Sequence, residues 1–300
     1  MTTRQVLMLG NTKTKAAAVV FADSAAKLIA KGMQPVIPEF DAAALTEHGV
    51  EIPAGVSSKE SSQYEIALIL GGDGSILRAA ELTRGGNTPI LGVNMGHVGF
   101  LAEAESQALG EVINLIVDRN YKVRERIALE VVVTVDGKET YRSWALNEVT
   151  LEKSARERML EVVVEVGSRP LSSFGCDGIL VSTPTGSTAY AFSAGGPVLW
   201  PDVEALVMVP LSAHALFARP LVVDPGTEIA FEVLKRSPGA GVLWCDGRRS
   251  VDLKPGSRVE VRRSAQSVPL AVIDDAPFTD RLVRKFNLPV TGWRGPEEHK

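Results

Sequence analysis

The sequence predicts an α/β N-terminal domain built on a parallel sheet, followed by a β-rich C-terminal domain. Two patterns carry that expectation. Up to about Tyr121, short apolar runs alternate with segments of helical spacing, as they do where helices cover a parallel sheet. Beyond it, β-branched runs alternate with turn dipeptides, the pattern of antiparallel strands. The expected division is 1–122 for the α/β domain, 123–275 for the β-rich domain, and 276–300 for a C-terminal segment that returns to the first domain.

Val6 to Gly10 is an apolar run of strand length, and Thr14 to Lys31 is an Ala-rich stretch with helical spacing. Strands are expected at Gln34 to Ile37, Glu65 to Leu70 and Ile90 to Val93. Glu51 to Ser62 is polar, with Pro53, Gly55 and several serines, and reads as a surface loop. In the second half, Ala128 to Val135 and Thr140 to Leu146 flank Asp136-Gly137, a pair suited to the positive φ angles of a tight hairpin turn. Further strands are expected at Leu160 to Val166, Gly178 to Ser182, Thr227 to Leu234, Gly241 to Cys245, Arg258 to Arg262 and Pro269 to Ile273. Thr279 to Phe286 returns to helical spacing.

Composition narrows the function. With 300 residues, 45% of them hydrophobic, the chain can bury a sizeable core. Its 36 acidic and 32 basic residues give a net charge of −4 and are spread without a basic stretch, so nucleic acid is not an expected partner. The most apolar long window, Glu204 to Val223, contains Pro210, His214, Arg219 and Pro220, which argues against a membrane span. The apolar run in MTTRQVLMLG is short for a signal-peptide core. Cys176 and Cys245 make neither a disulfide framework nor a zinc spacing and fit buried thiols of a reducing compartment. A cytoplasmic location is the expectation. His48, His97, His214 and His299 share no metal-ligand spacing.

Leu68 to Ser75 joins an apolar strand to a helical segment through Gly71-Gly72-Asp73-Gly74. Glycines let backbone N–H groups approach a phosphate, and the helix start adds its positive dipole end. There is no Walker lysine, and neither the P-loop nor the G-x-G-x-x-G pattern occurs in the chain. A carboxylate among phosphate-binding amides needs a task of its own: a general base for an attacking hydroxyl, or a contact to magnesium. The plain alternative is a turn whose aspartate bonds its own backbone.

The second dense stretch runs from Cys176 to Gly196. A strand leads into Ser182-Thr183-Pro184-Thr185-Gly186-Ser187-Thr188 and then into a short small-residue helix, presenting hydroxyl and amide donors suited to a ribose or phosphate. The alternative is a helix cap and turn. Ala191 to Gly195 also approximates a nucleophile elbow, with Asp202 and His214 following it. The helix is expected to begin before Ser193, which the elbow geometry does not allow.

Gly71-Gly72-Asp73-Gly74, Asn94-x-Gly96-x-x-Gly99-Phe100-Leu101, Asn147-Glu148, and Asp177-Gly178 running through Thr183-Pro184-Thr185-Gly186-Ser187-Thr188-Ala189-Tyr190 together resemble the NAD kinases, in order and over nearly the whole chain. The G-G-D-G loop is shared with diacylglycerol-kinase and phosphofructokinase relatives, whereas the S-T-P-T-G-S-T-A-Y run and the Asn-Glu pair are specific. Trp144 to Glu148 and Phe278 to Trp293 look most like actinobacterial members.

The resemblance implies phosphoryl transfer to the 2'-hydroxyl of the adenosine ribose of NAD, with Mg²⁺ or another divalent cation and with ATP or inorganic polyphosphate as donor. It also implies a homodimer or homotetramer. By this analogy Asp73 is the base, and Gly71, Gly72, Gly74 and Ser75 receive donor phosphates. NAD is met by Asp73, Gly74, Arg78, Asn147, Glu148, Arg158, Asp177, Thr188, Ala189, Tyr190 and Ser193, with Tyr190 stacking on a base, Asn147 and Glu148 at the adenosine end, and Asp177 at the nicotinamide side. Arg78 and Arg158 supply positive charge. Each has a plain alternative: Arg78 a solvated helix residue, Arg158 part of a charged loop, and Glu148 the partner of an arginine. Three positions depart from common family wording: Ser75 for threonine, Gly175 where an arginine is frequent, and Arg248 for glutamine. Two rival functions share the loop, a lipid or sugar kinase and a non-catalytic NADP sensor.

Overall fold

The apolar run near the N-terminus forms β1 (Gln5–Gly10). Thr14 caps the helix that follows, its hydroxyl accepting the Ala17 N–H at 3.3 Å, and α1 (Lys15–Ala30) buries Ala18, Phe21, Ala22, Ala25 and Leu28, one face at helical spacing. The chain continues through β2 (Gln34–Val36), α2 (Glu39–Glu47), β3 (Ile66–Leu70), α3 (Asp73–Leu82), β4 (Ile90–Asn94), β5 (Ala104–Glu105), α4 (Leu109–Val117) and β6 (Lys122–Arg126). This computed structural model describes residues 4–58, 64–96, 99–156, 158–273 and 277–290. Residues 59–62 of the expected surface loop, His97, Glu157 of the charged loop, the final residues through Trp293, and His299 lie outside the described residues.

The strands pair in parallel in the order β2-β1-β3-β4, with β5 beside β4. Alternate residues Val6, Met8, Ile66, Leu68, Leu70, Leu91 and Val93 face one core shared with α1 and α4. On β4, Ile76 of α3 occupies the space where a Cβ on Gly92 would stand, 2.5 Å away, so this glycine is required by close packing. From β1 the chain moves outward to β2 and then returns to β3 on the other side, so the strand order reverses between β1 and β3. In sheets of this kind the loops at the carboxyl ends of the strands beside such a reversal form the ligand crevice.

At the opposite strand ends, Arg4 and Arg119 both pair with Glu65, Arg4 Nε at 2.8 Å and Arg119 Nη2 at 2.9 Å, and Arg4 also donates to the Val117 carbonyl at 2.8 Å. These bonds, Arg4's first, pull the Glu65 carboxyl down to about 2, against a smaller opposing effect of burial. A depressed carboxyl stabilises the fold above its unfolded pKa, near 4.5, and that contribution is lost as pH falls through about 2. Melting followed from pH 5 to pH 2 is therefore expected to be less steeply acid-sensitive in Glu65→Gln. Parallel pH profiles for parent and variant would contradict this.

Arg126–Val268 form a second unit. Its elements are β7 (Leu129–Val135), β8 (Lys138–Ala145), β9 (Glu148–Lys153), β10 (Leu160–Val166), β11 (Arg169–Cys176), β12 (Gly178–Ser182), α5 (Tyr190–Ser193), β13 (Leu206–Leu211), β14 (Leu221–Val223), β15 (Ile229–Val233), β16 (Gly241–Cys245), β17 (Arg249–Leu253) and β18 (Ser257–Arg263). They make two antiparallel sheets, β11-β10-β15-β18-β7-β8 and β14-β13-β12-β9-β16-β17. Val131, Val133, Val162, Val164, Phe231 and Val261 of the first sheet share one core with Val149, Leu151, Ile179, Val181 and Leu243 of the second, so the unit is a sandwich. Asp136 and Gly137 take φ of 51° and 75° in the β7–β8 turn, the conformation that the dipeptide suits.

The chain then leaves this sandwich. The sequence groups Pro269 to Ile273 with the β-rich half, yet β19 (Val268–Val272) pairs in parallel with β4, Leu270 opposite Ile90, and the first unit comprises Met1–Glu125 and Pro269–Lys300. A buried apolar run does not encode which sheet it joins. After it, α6 (Phe278–Phe286) lies against the segment following β4. Phe278 and Phe286 place their rings 6.1 and 5.7 Å from Phe100, and Arg281 donates to the Phe100 carbonyl and pairs with Glu103 at 2.8 Å. Among the described residues, no helix is long and apolar enough to cross a membrane.

Candidate functional site

The glycine loop lies at the carboxyl end of β3, beside the strand-order reversal. Gly71 N–H donates to the Val93 carbonyl at 2.9 Å, and Ser75 closes tightly on Gly71, its Oγ 2.5 Å from where a Cβ would stand. Gly72 is the N-cap of α3 and Asp73 its first residue. Among the described residues, and apart from the adjoining backbone, nothing lies within 4 Å of a Cβ built on Gly72 or Gly74, and neither has positive φ, so neither glycine is required by these surroundings. What they leave is bare backbone at a helix start, which suits a phosphate.

Asp73 does not bond its own turn. Its two carboxylate oxygens each accept a backbone N–H, Oδ2 from Phe100 and Oδ1 from Leu101, both at 3.1 Å. Gly99 makes room for this, since a Cβ there would stand 2.4 Å from Asp73 Oδ1. The two bonds fix the carboxylate's orientation, and each oxygen retains a lone pair for a further donor. One turn along α3, the Arg78 guanidinium stacks 3.4 Å over the Phe40 ring, so it is a packed residue and not a solvated one. Its charge also acts on Asp41, which is buried and accepts Gly10 N–H and the Thr12 hydroxyl; burial is the main cause that pushes Asp41 up to about 6.

In the sandwich, Asn147 and Glu148 sit where β8 passes into β9, each 7% exposed. Asn147 Oδ1 and Glu148 Oε2 are buried without a hydrogen-bond partner among the described residues. Buried polar atoms are normally satisfied, so these two adjacent exceptions make the segment a candidate ligand site. Among the described residues Glu148 pairs with no arginine; its carboxylate accepts the Tyr190 N–H, and burial, then the nearby Asp246, raise it to about 8. Tyr190 leaves 40% of its surface exposed, and its hydroxyl, bonded to Glu152, is pushed up to about 12 chiefly by burial.

A carboxyl raised in the fold is an expense once it ionises. The native state holds the Glu148 proton between about 4.5 and 8 while the unfolded chain has released it, so stability falls as pH rises across that window. Glu148→Gln is expected to melt higher than the parent at pH 8.5, with the difference shrinking toward pH 5. A difference independent of pH would contradict this.

The hydroxyls of the Ser/Thr stretch are not the open donors that the sequence suggests. Ser182 Oγ and Thr183 Oγ1 donate to the Asn147 and Leu146 carbonyls at 3.2 and 2.6 Å, Ser187 Oγ to Pro184 at 2.7 Å, and Thr188 Oγ1 to Thr185 at 3.4 Å. Gly186 packs flat on the Asn147 backbone, a Cβ there falling 2.1 Å from its carbonyl oxygen. The stretch is thus a scaffold that holds Asn147, Glu148 and Tyr190 together. Ala189 links its 3₁₀ turn to α5, and Ser193 ends that helix, exposed. The single-turn α5 leaves the elbow reading without its strand-to-helix turn at Ser193.

Asp177 and Arg158 lie elsewhere in the sandwich. Asp177 precedes β12 and Thr183 follows it, about 20 Å apart at the rise of a strand. Lys153 pairs with Asp177 at 2.6 Å and holds its carboxyl below the ordinary range. Arg158 is exposed at the same sheet end and donates to the Pro238 carbonyl at 2.8 Å. Neither joins Asn147 and Glu148.

Asp246 is a neighbour that the sequence reading did not single out. It turns the β16–β17 hairpin at φ 54°, and its buried carboxylate accepts the N–H of Leu146, Asn147 and Glu148 at 3.0, 2.7 and 3.4 Å. The only trace of this in the sequence is Asp-Gly, which signals a turn and nothing about a segment 100 residues away.

Known proteins share this architecture. The ATP-NAD kinase N-terminal domain model matches residues 13–121, and the ATP-NAD kinase C-terminal domain model matches residues 146–272. An NAD kinase of Leifsonia xyli subsp. xyli is 52% identical over 297 residues, covering 98% of each chain. One from Mycobacterium tuberculosis is 56% identical over 248 residues, 82% of this chain and 80% of its own. The crystal structure of yeast NADH kinase complexed with NADH has the same fold, with TM-score 0.84 at 20% identity over 99% of this chain and 90% of its own. That of an Archaeoglobus fulgidus NAD kinase in complex with ATP gives 0.66 at 23% identity over 94% and 98%. With both domain models matched in order, and with close relatives aligned over most of their length, this chain belongs to the NAD kinase family.

Proposed function

We propose that this protein is an NAD kinase that transfers a phosphoryl group from ATP or inorganic polyphosphate to the 2'-hydroxyl of the adenosine ribose of NAD, giving NADP. The observation that carries the chemistry is the Asp73 carboxylate, fixed by two backbone amides in a glycine loop whose next residues are bare toward a ligand. Phosphoryl transfer asks a protein mainly for alignment and charge stabilisation. Asp73 takes the proton of the 2'-hydroxyl as that oxygen bonds to the terminal phosphorus of the donor, and the bond from phosphorus to the leaving phosphate oxygen breaks. Gly71, Gly72, Gly74 and Ser75 receive the donor phosphates, with Arg78 as a nearby positive charge. Asn147 and Glu148 hold the adenosine end through the two atoms that the fold leaves unsatisfied, and the exposed Tyr190 ring stacks on a base.

The donor set fits Mg²⁺ carried on phosphates. Mg²⁺ ordinarily takes one or two carboxylates together with substrate oxygens and water, and a carboxylate stands within the phosphate loop at Asp73. Among the described residues no cluster of three His, Cys, Asp or Glu offers a protein cage. When bound, the metal would neutralise charge on the donor. Homodimer or homotetramer assembly and a cytoplasmic location are part of the same reading.

The test is NADP formation from NAD and Mg²⁺ with ATP or polyphosphate, read with an NADP-specific dehydrogenase. Product from either donor supports the reading; none from both, with NAD or NADH as acceptor, overturns it. For the loop itself, Gly74→Ala is expected to melt at or above the parent temperature, because the added methyl meets no described residue beyond the adjoining backbone, while the KM for the donor rises several-fold. An unchanged donor KM would remove Gly74 from the phosphate site.

A further inference from the structure

Asp246 is one of the most enclosed charged groups of the sandwich, its side chain 2% exposed, and every bond given to its carboxylate goes to the segment bearing Asn147 and Glu148 or to Arg249. Oδ1 accepts the N–H of Asn147 and of Glu148, and Oδ2 accepts the N–H of Leu146 and Arg249 Nη2 at 2.9 Å. The link runs both ways, since Asp246 N–H donates to the Glu148 carbonyl at 2.9 Å. Arg249 is itself held, its guanidinium stacked 4.6 Å over the Trp144 ring on the strand leading into Asn147. A carboxylate that gathers three successive amides sets the path of the backbone through them, and so the direction in which the two following side chains leave it. Each of those two side chains has a buried atom without a partner among the described residues, Asn147 Oδ1 and Glu148 Oε2.

We infer that Asp246 is a positioning residue for the dinucleotide acceptor, aiming Asn147 Oδ1 and Glu148 Oε2 at the ligand by fixing the backbone of Leu146, Asn147 and Glu148 through its carboxylate. The inference rests on the reading of Asn147 and Glu148 as acceptor-binding groups. It separates the two substrates: Asp246 acts on the acceptor and has no part in receiving the donor. It also couples to the charge state of Glu148. The groups facing that carboxyl are Asp246 from the β16–β17 turn and Tyr190 from α5, with Arg249 compensating Asp246. Removing the negative charge of Asp246 makes Glu148 easier to ionise, so any NAD-dependent transition that follows Glu148 moves to lower pH.

The experiment compares the full-length parent, Asp246→Asn and Arg249→Gln, measuring KM for NAD and for the phosphoryl donor across pH together with melting temperature. Asp246→Asn keeps the shape but turns an amide NH₂ toward backbone donors. It is expected to raise the KM for NAD about tenfold or more, the loss of one well-placed polar contact, with the donor KM within about twofold. The midpoint of its NAD pH profile should shift downward from the parent's. Arg249→Gln leaves the amide contacts in place and should raise the KM for NAD less, with the donor KM again unchanged. A folded Asp246→Asn with the parent's KM for NAD, or with NAD and donor KM rising together, would overturn the inference. Should Asp246→Asn not fold, a parental KM for NAD in Arg249→Gln would overturn it and a selective rise would support it. An inactive parent would instead remove the kinase reading, a failure distinct from this one.

Discussion

Asp73→Asn is expected to lower turnover by roughly 10²–10⁴-fold, the usual contribution of a general base, while NAD binding stays near that of the parent. The amide is almost the same size as the carboxylate and retains one oxygen able to accept from Phe100 or Leu101 N–H. Its NH₂ group must then face the other backbone N–H or the acceptor, and neither orientation leaves a group that takes a proton from a hydroxyl. Loss of the base falls on kcat, whereas Asn147, Glu148 and Tyr190, which the substitution leaves untouched, continue to bind the acceptor. Steady-state kinetics paired with calorimetric titration of NAD check this. A variant with parental kcat would show that Asp73 holds no proton in the reaction. A variant that lost NAD affinity and turnover together would make Asp73 a binding group.

Gly186→Ala is expected to be the most damaging change in the sandwich for acceptor binding. Its added methyl would stand 2.1 Å from the Asn147 carbonyl oxygen, 2.4 Å from the carbonyl carbon and 2.6 Å from Cα. All three are backbone atoms, so no rotamer change relieves the overlap, and the Asn147 segment or the 3₁₀ turn must move. Moving either strains the Thr183 N–H bond to the Asn147 carbonyl at 2.9 Å and the amide bonds made by Asp246. Overpacking of this kind costs roughly 1–3 kcal/mol, and here it also redirects Asn147 Oδ1. The KM for NAD should rise tenfold or more, with a lowered melting temperature and an unchanged donor KM. A parental KM for NAD would mean that Asn147 is not an acceptor ligand or that the segment can shift freely.

The sequence showed most clearly those elements whose signal is local. Periodicity places α1, the Asp136-Gly137 pair places the β7–β8 turn, and uninterrupted apolar runs place β1, β3, β4 and β12. Strands that depend on partners were harder to see. In β11, Arg-Pro-Leu-Ser-Ser-Phe-Gly-Cys contains no β-branched residue and becomes a strand by pairing with β10. In β13, Leu206–Leu211 lies inside the apolar window weighed as a membrane span and is a buried strand between β12 and β14.

The site followed the same division. Gly71 to Ser75 and Asn147-Glu148 are contiguous motifs and stand out in the sequence as candidates. The Ser/Thr stretch stayed open between donors for a ligand and a cap with a turn, because a hydroxyl's partner is set by the fold: Thr183 and Ser187 turn inward onto carbonyls. Asp246 could not be read at all, since its partners are Leu146 to Glu148 at the far end of a β16–β9 pairing. Asp177 and Arg158 are near the rest of the motif in sequence but a strand length from Asn147 in the sandwich.

The most direct test of the central claim is the identity of the phosphorylated product, taken from a reaction of the parent protein with NAD, Mg²⁺ and ATP and resolved by ³¹P and ¹H NMR. The account predicts one new phosphomonoester, coupled to the 2' proton of the adenosine ribose, with the pyrophosphate intact. A phosphate on the 3'-oxygen or on the nicotinamide ribose, or no new phosphomonoester from an active preparation, would contradict it.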